Sequence, residues 1–107
     1  MKPGSRDIKY TILITGLELE ELQRFVWMMA ESFGLDRRIE NYRGKRPIGL
    51  YRWDFDCLLA VVECALNDTE YYPSKDSPEY MALKNLQARL QQESDAAYEE
   101  AGFGQRR

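Results

Sequence analysis

A chain of 107 residues, 44% apolar and 31% charged, holds enough nonpolar side chains for one hydrophobic core and too few for two. It carries 15 Lys and Arg against 18 Asp and Glu, two Cys and no His. Without histidine there is no Ser-His or Cys-His couple, no imidazole metal ligand and no ordinary proton shuttle near pH 7.

The longest apolar runs, Phe25 to Ala30 and Cys57 to Val62, fall far short of the ~20 residues a membrane span requires. Residues 1–7 are charged and read as a flexible start without the pattern of a secretory signal, so a cytoplasmic location is expected. Ile8, Tyr10, Ile12 and Ile14 then alternate with Lys9, Thr11 and Leu13, the period of a strand with one buried face. Thr15 and Glu18 have capping-box spacing at the head of a helix expected to reach Phe33. Its core stripe is Leu19, Leu22, Val26, Met29 and Phe33, flanked by Phe25 and Ala30, and Gly34 should end it.

Residues 37–42 and 48–53 favour extended structure, and the Gly44 and Pro47 between them suggest a hairpin. Asp54 is placed to cap a second helix, 55–66, whose near-continuous apolar character predicts cover on more than one side. Cys57 and Cys64, seven apart, are expected as core thiols of that helix, too distant from each other for a disulfide. Ser77 and Pro78 open a third, long helix that Gly102 should stop, leaving 103–107 as a flexible tail. The expected architecture is a single α+β domain over 1–107 in the order β-α-β-β-α-α. A sheet of about three strands packs on two helices, and the long C-terminal helix lies outside them.

Charge is unevenly placed. Residues 1–53 hold ten basic and seven acidic side chains, residues 54–107 five and eleven. The expected binding surface is the basic-aromatic segment 37–53, with Arg37, Arg38, Tyr42, Arg43, Lys45, Arg46, Tyr51, Arg52 and Trp53 as its candidate residues. Guanidinium forks bind carboxylate or phosphate in pairs of hydrogen bonds, and Tyr and Trp rings anchor protein interfaces or stack on bases. A hairpin whose arginines pair with the acidic second half would show the same composition. Asp54, Asp56 and Glu63 do not make a metal site, because residues two apart on a helix diverge and Asp54 is assigned to capping. No phosphate-binding glycine loop follows the first strand, and no cofactor is expected.

The segment Tyr10-Thr11-Ile12-Leu13-Ile14-Thr15-Gly16, the acidic residues Glu18, Glu20 and Glu21, and the Trp53-Asp54-Phe55 start of an apolar helix together resemble small accessory proteins of phages and mobile elements. The resemblance covers residues 8–67 and transfers no functional residue. It implies an inhibitor that masks a host or defence protein, or a sponge for a nucleotide signal. The leading expectation is a non-enzymatic interaction module with a protein partner, and the alternative is a nucleotide or nucleic-acid binder. A homodimer is also expected, since Trp27 and Met28 lie off the first helix's core stripe and the third helix is longer than one domain needs.

Overall fold

A computed structural model describes residues 10–29 and 34–100, with side chains to residue 96. The elements are β1 (Tyr10–Ile12), α1 (Gly16–Gln23), a 3-10 helix (Val26–Met29), α2 (Leu35–Asn41), β2 (Ile48–Leu50), α3 (Arg52–Leu66) and α4 (Pro78–Glu100). This is an α+β domain of four α-helices and one antiparallel pair of strands. The register sets Tyr10 against Leu50, Thr11 against Gly49 and Ile12 against Ile48.

The first strand follows its alternation: Ile12 and Ile14 are buried, Thr11 and Leu13 exposed. The expected helix to Phe33 is shorter, because after Gln23 the chain tightens into i→i−3 bonds, Phe25 N–H to Leu22 O and Met28 N–H to Phe25 O. That tighter winding still turns Phe25 and Met29 into the core while Trp27 swings out to 62% exposure. Ala30 and Phe33 lie outside the described residues. So do the expected flexible start, 1–7, and tail, 103–107. Thr15 precedes α1 without a side-chain cap. Glu18 is drawn instead to Arg89 and Asn85 of α4, whose Arg89 also donates to Leu13 O.

The expected hairpin is absent, since residues 37–41 belong to α2 and the sheet among the described residues has two strands, not three. Leu35 and Ile39, four apart and both fully buried, fix one face of this short helix, and the Asp36 carboxylate accepts the Arg37 N–H at 2.9 Å. Gly34 has φ +84°, as a helix-stopping glycine would, and here it leads into α2.

α3 begins earlier than expected, after Tyr51, so Asp54 is its third residue and reaches back to accept the Tyr51 N–H at 2.9 Å. Its buried stripe is Phe55, Leu58, Val61, Val62, Ala65 and Leu66. The opposite flank, Asp56, Ala60, Glu63 and Cys64, is exposed, so the helix is covered on one broad side only. Cys57 is half-buried and Cys64 exposed: neither is the core thiol that composition suggested, because both sit at the border of the stripe. Ser77 caps α4 as expected, its Oγ accepting the Tyr80 N–H at 3.1 Å. α4 packs on α3 and α1 through buried Leu83, Leu86 and Leu90, which makes it part of the body and not an outer layer. No helix among the described residues is long and apolar enough to cross a membrane.

Candidate functional site: the basic segment between α2 and α3

The nine candidate residues of the basic-aromatic segment separate into two groups. Arg38 and Tyr42 are built into the fold. The Arg38 guanidinium donates to Gly49 O at 3.0 Å and to Asp54 Oδ2 at 2.6 Å, and the Asp54 carboxyl group is fully buried. Asp54 Oδ2 also takes the Tyr51 N–H. One ion pair thereby satisfies a carbonyl and an amide of the chain around β2, which a third strand would otherwise have done. Helix α2 thus supplies through a side chain what the expected strand would have supplied through its backbone.

Tyr42 fastens the loop that follows α2. Its hydroxyl donates to Arg46 O at 2.6 Å and accepts the Ile14 N–H at 3.4 Å. Gln23 closes the end of α2, its side-chain amide donating to Ile39 O and Tyr42 O, each at 3.0 Å. Gly44 completes the fastening. It has φ +74°, and a Cβ there would stand 3.0 Å from Ile14 O and 3.1 Å from Leu19 Cδ2. The loop lies directly against the β1–α1 junction and can do so only with glycine at its centre.

On this fixed loop Arg43, Lys45 and Arg46 are exposed, as is Arg37 one turn into α2; the exposed acid among residues 34–50 is Glu40. Tyr51 and Trp53 are half-buried and stack on each other, with ring centroids 5.0 Å apart and planes 19° from parallel. Arg52 is half-buried between them in sequence and is engaged by neighbouring groups. A groove of about 360 Å³ separates α2 from β2, lined by Arg38, Asn41, Tyr42, Arg46, Ile48 and Gly49. A larger open trough of about 800 Å³ follows α4 past Tyr80, Met81, Lys84 and Ala88. All its described walls but Lys75 come from that one helix.

Two polar clusters lie outside the segment that sequence reasoning singled out. Glu21, buried in α1, accepts the Tyr72 hydroxyl at 2.6 Å and the Arg24 guanidinium at 2.7 Å. Arg24 also lies over the Phe25 and Tyr72 rings. Burial, reinforced by the bond to Glu21, pushes the Tyr72 hydroxyl well above the ordinary tyrosine range. The Glu18, Asn85 and Arg89 cluster ties α1 to α4. In both clusters the acids are bonded to partners within the chain. Helical spacing puts Glu21 on the wet side of the first helix with Glu20 and Arg24, and the structure buries it instead; nothing local names Tyr72, 51 residues on, as its partner. No protein-family model, curated protein or solved structure matches this chain.

Proposed function

We propose that this protein is a non-catalytic interaction module, an inhibitor or adaptor, that presents the loop after α2 to an acidic surface on a protein partner. The observation that carries the reading is the fixed loop itself. Three cations, Arg43, Lys45 and Arg46, stand exposed on a backbone fastened by Tyr42, Gln23 and Gly44. A backbone already held in place leaves only the side-chain rotamers to be ordered on binding, so more of the interaction appears as affinity. The neighbouring Tyr51 and Trp53 stack supplies the kind of aromatic anchor found at the centre of protein interfaces.

The same stack supports a second reading, because an aromatic plane beside cations also suits a nucleobase beside its phosphate. The two readings separate on one triple variant, Arg43→Ala, Lys45→Ala, Arg46→Ala. Its melting temperature should match the parent's, since exposed substitutions commonly change stability by less than about 0.5 kcal/mol each. Affinity capture from the native cell should return an acidic protein with the parent and lose it with the variant. A partner retained by the variant would move the interface elsewhere. Oligonucleotide binding whose salt slope falls by about one unit per lost cation would favour the nucleic-acid reading instead.

A further inference from the structure

Among the described residues β2 has one partner strand and so one edge turned away from it. In an antiparallel strand the C=O of one residue and the N–H two residues later project from the same edge, and a residue's own N–H and C=O project together. Gly49 O, bonded to Arg38, and the Tyr51 N–H, bonded to Asp54, therefore mark the edge away from β1. The Gly49 N–H projects from it too, into the groove beside α2. Going back two residues along the same edge, the next carbonyl is that of Pro47, which also lines the groove.

The groove thus offers one main-chain donor and one main-chain acceptor at the spacing of a strand. Around them stand the guanidinium groups of Arg38 and Arg46 and the side-chain amide of Asn41. No Asp or Glu is among the described residues that line the groove; Asp54 behind it is fully buried and already accepts from Arg38 and from Tyr51, and the exposed Glu40 lies on α2 beside Asn41. Exposed Arg37, Arg43 and Lys45 add positive charge on the flanking helix and loop. Charge selects an anionic occupant, and the strand edge selects a peptide over a nucleic acid, because only a peptide returns a carbonyl to Gly49 and an amide to Pro47.

The geometry points to the groove between α2 and β2 as the docking site for an extended acidic segment of the partner. The segment lies along the outer edge of β2, one of its carbonyls on the Gly49 N–H and an Asp or Glu side chain on Arg46, with Arg38 at the back of the groove. This assignment rests on the reading of the loop as a surface for an acidic protein, and gives that surface a place where the contact is specific.

The test is amide-resolved titration of the full chain at low salt with acetylated, amidated hexaglutamate, with hexaglutamine and with oligothymidylate. Hexaglutamate should shift the Gly49 amide resonance, hexaglutamine should not, and Arg46→Ala should weaken the hexaglutamate affinity about tenfold, as loss of a hydrogen bond to a charged group does. Shifts confined to Arg43 and Lys45, with Gly49 unmoved, would overturn the groove and leave the loop as a diffuse acidic-surface binder. No hexaglutamate binding at all would overturn both. A Gly49 shift produced by oligothymidylate and not by hexaglutamate would overturn the peptide assignment in favour of a phosphate chain.

Discussion

Arg38 and Arg46 are eight residues apart in one basic run, and the fold uses them in opposite ways. Arg38 gives its guanidinium to a fully buried carboxylate and a strand carbonyl, while the backbone of Arg46 is held by Tyr42 and its charged end is left to solvent. The difference lies in what each can reach. Arg38 sits on α2 facing the outer edge of β2, where unpaired backbone groups and Asp54 need a partner. Arg46 stands past the turn at Gly44, where Tyr42 already holds its carbonyl and its exposed side chain faces no buried carboxylate like Asp54. A run of like charge is therefore not one unit: part of it is structure that happens to be cationic, and Arg37, Arg43, Lys45 and Arg46 stay exposed.

The largest effect that would break this comparison belongs to Arg38. Arg38→Ala leaves a fully buried carboxylate without its cation and should cost about 3–5 kcal/mol of stability, against little change for Arg46→Ala. Asp54→Asn should cost less than Arg38→Ala, because the Arg38 side chain is 35% exposed and can turn to water. Urea unfolding of the three variants checks the order. If Arg38→Ala and Arg46→Ala proved equally mild, the division between structural and free cations would collapse.

Little of that division was legible beforehand. The strand alternation of Ile12 and Ile14, the apolar stripe of α3 and the Ser77 start of α4 could be read because each rests on local spacing or a local cap. α2 could not, because its evidence is the single pair Leu35 and Ile39, and a segment judged from Arg37 onward loses half of it. The break in the first helix was hidden for a related reason: Phe25 and Met29 keep helical spacing whether the chain winds as α or 3-10. Choosing Arg38 over five other cations as the partner of Asp54 requires knowing that α2 lies beside β2, and that is tertiary information. The loop cations Arg43, Lys45 and Arg46, by contrast, stand out by composition alone, and they stay exposed in the fold.

Gly44 sharpens the comparison from the loop's side. Gly44→Ala should destabilise by about 1–3 kcal/mol, combining a positive φ that a side chain resists with a Cβ forced to 3.0 Å from Ile14 O. It should also weaken capture of an acidic partner although no charge is removed. Retained stability with lost binding would mean the loop shifts without strain, and retained binding despite lost stability would show that fixing the cations is unimportant.

The smallest effect comes from the other buried acid, and asks whether the Arg38 arrangement has a counterpart. Glu21 resembles Asp54 in being buried and paired with a half-exposed arginine, but its further donor is the Tyr72 hydroxyl instead of a backbone amide. A hydroxyl can lose its proton, so this cluster alone should respond to alkali. Burial and the bond to Glu21 raise the Tyr72 hydroxyl above its usual value, so the folded state holds that proton more tightly than the unfolded chain. The resulting stability is fully present below pH ~10, where the unfolded tyrosine titrates, and declines as pH rises above it. Tyr72→Phe should therefore cost about 1–2 kcal/mol at neutral pH through the lost bond to a charged acceptor, and the gap to the parent should narrow above pH ~10. Thermal melts of both proteins from pH 7 to 11 read the difference directly, since the other tyrosines and the lysines are common to the pair. A gap that stays constant across that range would mean Tyr72 titrates as it does in the unfolded chain, and Glu21 would then be held by Arg24 alone.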